Sequence, residues 1–452
     1  MSKTANSRNP TQDWVRQTVF WQVFPLGFVG AEAQARSEMG VVHRLGGLHA
    51  WLDYAVALGA SGLMLGPVFA SSTHGYDTID YFRIDPRLGD EADFAALIDA
   101  AHARGLRVVL DGVFNHVGRA FPAFEQLVRE GPGSAYSSWF RLTWPKNPQP
   151  GVEPGYANFE GHRQLVALNH DEAAVADYVV QVMNHWLDRG VDGWRLDAAY
   201  AVPARFWKSV LPRVRARNPG AYLFGEVIRG DYSKIVAEAG FDSVTQYELW
   251  KAIWSSLKDR NLFELAWALE RHNGFLDSFA PLTFVGNHDV TRIASQISDA
   301  RHLPHALAVL LTCGGTPSIY AGDEQAFRGI KETRVGGDDA IRPAFPTSPA
   351  ELPAQGEPIF RLHQTLIALR KQHSWLHAAR ILPLSKANEQ LCYEVRAADQ
   401  RLFVALNLAD NAASLPAPGA HSIAAGKAAL VRAVTPATLV ELPPHGWAIL
   451  EA

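Results

Sequence analysis

Along residues 19–377, short apolar runs rich in β-branched and aromatic residues alternate with longer segments whose apolar positions recur at helical spacing. The short runs are VFWQVF at 19–24, SGLMLG at 61–66, LRVVLDGV at 106–113 and VDGWRL at 191–196. They continue with AYLFGEV at 221–227, FDSVTQY at 241–247, LTFVGN at 282–287 and TPSIYAG at 316–322. Between them lie stretches such as DFAALIDAAHARG at 93–105 and EAAVADYVVQVMNHWLDRG at 172–190. In the second, Val175, Tyr178, Val179, Val182, Trp186 and Leu187 share one face of a helix, which predicts that this face is buried. Strands alternating with helices make βαβ units and a parallel sheet. Eight such strands predict an α/β fold of the TIM (β/α)8 barrel type.

The pattern breaks in two places. The stretch from His116 to Asp192 is too long for one crossover, and its surplus at 117–170 is rich in Pro, Gly and aromatic residues, as in FRLTWPKNPQPGVEPGYANFEGH. A long segment without periodicity inside a compact domain is usually functional, and it predicts a small domain inserted after strand 3. After about residue 378 the runs LCYEVRAA, RLFVALNLA, AALVRAV and HGWAILEA are short, β-rich and divided by Gly, Pro and Asn. They predict a C-terminal antiparallel β-sandwich domain at 378–452. The barrel is then expected at 1–116 and 171–377, a division that 452 residues accommodate around a barrel of roughly 250.

Composition narrows the function. Hydrophobic residues at 48% and charged residues at 19% describe a soluble globular chain with a sizeable core. A net charge of −4 disfavours nucleic acid and anionic membranes as partners and suits a neutral substrate. The 13 Trp and 12 Tyr could stack on sugars, although most such rings serve cores and rims. Cys313 and Cys392 lack metal-ligand spacing and read as free buried thiols. The polar start MSKTANSRNPTQDW shows no secretory signal, and the apolar stretch ALAVLLTCGG at 306–315 is too short to span a bilayer. A cytoplasmic location is expected.

Four segments carry candidate chemistry: DGVFNH at 111–116, DGWRLD at 192–197, GEV at 225–227 and VGNHD at 285–289. Side chains two apart on a strand point to the same face, so Arg195 and Asp197 face inward while Trp194 and Leu196 face the helices. An arginine beside a carboxylate favours its ionised form, as a nucleophile requires. An isolated Arg-Leu-Asp triplet reads equally well as a structural ion pair; the other motifs tip it toward catalysis. Glu226 ends the next hydrophobic strand, where an apolar setting near a second carboxylate suits a general acid. In a retaining glycosidase two such groups lie ~5–5.5 Å apart, within reach for adjacent barrel strands. Asp289 offers a third carboxylate for an oxocarbenium-like transition state, and His116 and His288 can bond sugar hydroxyls.

All four segments, in this order, resemble the α-amylase superfamily. HGYDTIDYFRIDPRLGD at 74–90, VGRAFPAFEQLVREG, ALN at 167–169 and IYAGDE at 319–324 are most similar to its cyclomaltodextrinase, neopullulanase and maltogenic amylase group. The resemblance implies Asp197, Glu226 and Asp289 as catalytic residues, and Tyr76, His116, Arg195 and His288 as substrate-binding residues, with Tyr76 as a stacking ring. It implies a cleft walled by the inserted domain and an orienting pair of Asp111 with Arg195. No cofactor and no catalytic metal is expected. Asn115 stands where many relatives carry a calcium ligand, so a structural calcium is compatible.

Three departures bear on the substrate. The resembled group carries an extra N-terminal β-domain used in dimerisation, whereas here the barrel begins almost at once; a homodimer stays open. Its Val-Ala-Asn-Glu run after the nucleophile is replaced by Ala198-Ala199-Tyr200, and its tryptophan two residues past the acid by Ile228. Thr73 stands where exo-acting α-glucosidases carry an acid, which disfavours a strict terminal-glucose pocket. The expected activity is a retaining α-glucan hydrolase for short or cyclic maltooligosaccharides, with α-1,4, α-1,6 or mixed linkage open. A transglycosylase or isomerase of the same superfamily is the alternative, and a non-catalytic sugar-binding relative is disfavoured by the retained acids.

Overall fold

The computed structural model describes residues 10–36, 40–334, 336–432 and 438–452. The polar stretch at 1–9 and the last two residues of AALVRAV lie outside the described residues. All eight expected strands form, each shorter than its apolar run: β1 Phe20–Val23, β2 Gly62–Leu65, β3 Arg107–Gly112, β4 Gly193–Leu196, β5 Tyr222–Gly225, β6 Ser243–Val244, β7 Leu282–Phe284 and β8 Thr316–Tyr320. The trimmed residues are mostly those past the strand ends, where the chain turns out of the sheet into the candidate site. The strands pair in parallel in the order β6-β5-β4-β3-β2-β1-β8-β7. A parallel bridge between Thr245 and Leu282 joins the two edges and closes the barrel.

Register sets what faces inward. Gly193 lies opposite Val109 and Tyr222, and Arg195 lies opposite Asp111 and Phe224. Low in the barrel the interior is apolar, with Phe20, Met64, Val109, Tyr222, Phe224 and Leu282 in one cluster. Trp14 closes this layer, meeting Phe20 and Tyr222 edge to face. The charged inward residues sit above it, toward the C-terminal rim, where a TIM barrel has its active site.

Outward residues meet the helices. Trp194 packs against Phe69 and Phe114. The helix Ala173–Leu187 buries Val175, Val179, Val182, Trp186 and Leu187, with Tyr178 half-buried at its edge. The Trp186 indole donates to the Tyr81 carbonyl at 2.7 Å, and truncating such a ring to alanine costs about 3–5 kcal/mol. The helix Glu91–Ala103 starts in a capping box: Asp90 accepts from the amides of Ala92 and Asp93, and Asp93 reaches back to the Asp90 amide. Such a cap contributes about 1 kcal/mol.

The segment after β3 holds a three-stranded sheet of His116–Gly118, His162–Ala167 and Asn158–Phe159. It also holds the helix Pro122–Glu130, which buries Ala123, Phe124 and Leu127. The helix is short and closed in by a proline and a glycine, so it leaves no clear period in the sequence. The C-terminal region forms a five-stranded and a three-stranded antiparallel sheet, with Cys392, Phe403, Leu415, Val440 and Leu450 packed together. Both cysteines are free and buried. The run at 306–315 includes most of the buried helix Leu303–Thr312, and no described helix is long and apolar enough to cross a membrane.

Candidate active site at the strand ends

Arg195 organises the rim. Its Nη1 donates to both carboxylate oxygens of Asp111 on the neighbouring strand, at 2.7 and 2.6 Å, and lies 3.4 Å from Asp197 Oδ1. Its Nη2 stands 2.7 Å from Glu226 Oε1 and 3.7 Å from Asp289 Oδ2. One guanidinium therefore reaches four of the five acids the motifs supply, all but Asp192. This follows from register: Arg195 is level with Asp111, and Asp197 and Glu226 are the first residues beyond β4 and β5.

Tyr76 lies parallel to His288, with ring centroids 5.7 Å apart. Its hydroxyl donates to Asp111 Oδ2 at 3.0 Å and also meets His288 Nε2. Gln22 Nε2 donates to His288 Nδ1 at 3.0 Å; in this amide orientation the ring hydrogen is on Nε2, which faces Asp289 Oδ2 at 3.0 Å. His116 stands slightly apart. Its Nε2 meets the Tyr76 carbonyl at 3.0 Å, its Nδ1 meets the Asn115 amide at 3.1 Å, and its ring stacks on Phe159 of the inserted segment. Both ring nitrogens thus have protein partners in the substrate-free site. Tyr200 donates to Glu160 at 3.2 Å, a second link to the inserted segment.

Tyr247, Asn287, Arg342 and Ala198, none of them among the expected site residues, complete the constellation. Tyr247 donates to Glu226 Oε1 at 3.0 Å and accepts from Asn287 at 2.9 Å. Asn287 also accepts from the Asp289 amide at 2.8 Å. Arg342, from the loop after β8, donates to Asp289 Oδ1 at 2.9 Å and to the His288 carbonyl at 2.8 Å. Ala198 has a left-handed φ of 45°, a conformation costing about 1–2 kcal/mol, and its amide donates to Glu226 Oε2 at 3.0 Å. Asn287 lies inside a motif already singled out, so its position was a usable signal. Arg342 gave none, because only the fold brings that loop to the rim.

The electrostatics differ from the sequence expectation in one respect. Burial and the neighbouring Glu226 carboxyl push Asp197 well above the ordinary carboxylate range, against the pull of Arg195. Arg195 makes its short contacts to Asp111 and Glu226, so its ionising influence on Asp197 is weaker than the Arg-Leu-Asp triplet suggests. Burial also opposes charge on Asp289, yet His288, Arg342 and Arg195 together hold its carboxyl well below the usual range. Burial pushes the His116 imidazole down to about 3, so it is neutral at working pH. Burial, then the nearby acids, raise the Tyr76 and Tyr247 phenols, and both hydroxyls keep their protons.

Asn115 turns its amide nitrogen to the His116 ring at 3.1 Å, so its side-chain oxygen is the atom it would offer a structural calcium.

Residues 22–351 match the family described as "Alpha amylase, catalytic domain". A cyclomaltodextrinase of Geobacillus thermopakistaniensis is 30% identical over 97% of this chain and 77% of its own. The debranching enzyme of Nostoc punctiforme has a solved structure similar to this one at a TM-score of 0.83 and 27% identity, covering 98% of this chain and 99% of that one. The cyclic alpha-maltosyl-(1→6)-maltose hydrolase of Arthrobacter globiformis, solved with that sugar, gives 0.81 and 26% over 98% and 99%.

Proposed function

The chain belongs to the alpha-amylase family of glycoside hydrolases, and from that premise we propose a retaining hydrolase of α-glucosidic bonds in short or cyclic maltooligosaccharides. The observation that carries this reading is the Arg195 guanidinium gathering Asp111, Asp197, Glu226 and Asp289 at one rim. Mixed α-1,4/α-1,6 substrates are favoured, because the match runs end to end along enzymes named for branched and for cyclic α-1,6-containing sugars.

In the proposed reaction an oxygen of Asp197 attacks the anomeric carbon while Glu226 gives its proton to the departing glycosidic oxygen. The product of that step is a β-glucosyl ester on Asp197. Glu226 then takes a proton from water, whose oxygen attacks the same carbon, releases Asp197 and leaves an α-configured sugar. The pair needs one proton between two carboxyls. The raised Asp197 carboxyl supplies a group that holds that proton in the substrate-free site, and the reaction requires it on Glu226 once the sugar is seated. Asp289, kept ionised by His288 and Arg342, holds sugar hydroxyls and faces the positive charge that develops on the ring. Tyr76 offers its ring to the same sugar. A cytoplasmic setting, with imported sugars as substrate, is part of this proposal.

Azide rescue tests the assignment. Asp197→Ala and Glu226→Ala should each lose at least about 10³-fold in turnover, since residues that act as a unit fail together. Azide should restore part of the rate and give a β-azide from Asp197→Ala, where it takes the nucleophile's place, and an α-azide from Glu226→Ala, where it displaces the β-ester. Either variant keeping more than about a tenth of the wild-type rate refutes that residue's role.

A further inference from the structure

The helix Leu303–Thr312 lies against the C-terminal strands, and His302 and His305 stand at its start. His305 is tied across the seam, its Nε2 lying 3.2 and 3.1 Å from the carbonyls of Asn407 and Gly446. His302 is 2% exposed, and its Nε2 faces Nδ1 of His445 at 3.0 Å, although the two are 143 positions apart. His445 sits on the turn before the last strand with a left-handed φ of 54°. Its Nε2 meets Asp410 Oδ1 at 2.9 Å. A carboxylate only accepts, so that nitrogen carries the hydrogen, and Nδ1 presents a lone pair toward His302.

One ligand atom each from Asp299, His302 and His445 lies within 4.8 Å of the others. Two nitrogens at about 2.0–2.1 Å from a tetrahedral zinc would be roughly 3.3 Å apart, close to the His302–His445 separation. Among the described residues Nδ1 of His302 and Nδ1 of His305 have no hydrogen-bond partner, and the facing pair His302 Nε2 and His445 Nδ1 is the one the geometry offers an ion. Arg301 pairs with Asp299, and Arg260 lies near Asp410, so the two acids are already partly neutralised.

We propose that Asp299, His302 and His445 bind one divalent transition-metal ion of the zinc class at the seam between barrel and C-terminal sheets, with Asp410 orienting His445 from behind. Two imidazoles, a carboxylate and a water make a tetrahedral set, and a carboxylate on the far nitrogen of a ligating histidine is the common outer arrangement. No short motif announces it, since the ligands come from segments that meet only in the fold. The ion would clamp the helix to the C-terminal turn, so binding would stabilise the whole chain.

The test uses the full chain, stripped by a chelator and titrated with Zn²⁺ by calorimetry and with Co²⁺ by visible absorption. We expect one equivalent bound at micromolar protein, tetrahedral Co²⁺ bands and a raised melting temperature under Zn²⁺. Asp410→Asn should weaken binding about 10–100-fold, and His445→Gln should abolish the Co²⁺ bands and the melting shift. If His302→Gln fails to fold, His445→Gln and Asp299→Asn still decide. Absence of binding overturns the proposal. So does binding that His445→Gln leaves unchanged, or that is lost instead on replacing His43 of the surface group His43, Asp90 and Asp93.

Discussion

Tyr247 ties the acid Glu226 to Asn287, and Asn287 to the Asp289 backbone, so one hydroxyl spans two strand ends. Tyr247→Phe removes a donor from Glu226 and an acceptor from Asn287. Leaving a buried polar group unsatisfied costs about 1–3 kcal/mol, and kcat/KM should fall about 10–100-fold, where each tenfold is about 1.4 kcal/mol. A donor to a carboxylate favours its ionised form. Its loss should therefore move the alkaline limb of the pH–rate profile to higher pH. A variant with wild-type rate and profile would show that the hydroxyl does not act on the acid. The acids themselves were legible because each ends an apolar strand run. Tyr247 was not, since nothing in FDSVTQY distinguishes a tyrosine that reaches the rim from one that packs beneath it.

At the scale of elements, the end of β7 depends on a close approach that only glycine allows. A Cβ on Gly286 would lie 2.1 Å from Asp323 Oδ2, and Asp323 is fully buried and held by Arg292 at 2.9 Å. Arg292 also donates to the carbonyls of Ala321 and Ile341, both at 3.0 Å, which fixes the loop that presents Arg342. Gly286→Ala should therefore displace Asn287, His288 and Asp289, lower stability by about 1–3 kcal/mol as overpacking does, and cost more than tenfold in kcat/KM. Wild-type activity with an unchanged melting temperature would mean that Asp323 gives way freely. Strand existence followed from periodicity, whereas strand ends did not. Residues past each end keep apolar neighbours in sequence while their backbone has left the sheet for the site.

At the scale of the whole molecule, buried histidines set the response to acid. Burial pushes His116 down to about 3, and His272, His305 and His363 down to about 4. Unfolded imidazoles take up protons near 6.5, so between about pH 6.5 and 4 the unfolded chain binds more protons at these sites and stability falls with falling pH. Asp323 and Glu324, raised by burial to about 6 and about 7, act in the opposite direction over much of that window. Asp197, raised by burial and the neighbouring Glu226, acts with these two carboxyls. Four imidazoles still outweigh three carboxyls, so the unfolding free energy should fall on acidification by on the order of 1 kcal/mol per pH unit, seen as a lower urea midpoint. A midpoint that holds or rises from pH 6.5 to 4.5 would contradict this. The inserted segment, linked to the rim through Phe159 on His116 and Glu160 on Tyr200, should restrict long polymers. Catalytic efficiency on oligosaccharides of a few sugars, linear or cyclic, should exceed that on soluble starch at least about tenfold, roughly 1.4 kcal/mol of transition-state binding. Equal efficiency on starch would point to an open cleft.

What the sequence by itself determined was local: eight strand-forming runs, the helical faces between them, and three acids and an arginine placed at strand ends. Period and propensity act over a few residues, so they can be read without the fold. Tertiary structure alone decided which groups share a charge. Arg195 spends its contacts on Asp111 and Glu226, Asp197 is left raised, Arg342 arrives from a distant loop to hold Asp289, and His302 meets His445 across a seam. Those outcomes depend on distances between segments far apart in the chain and on the loss of water around them. Neither quantity has a counterpart in the order of residues.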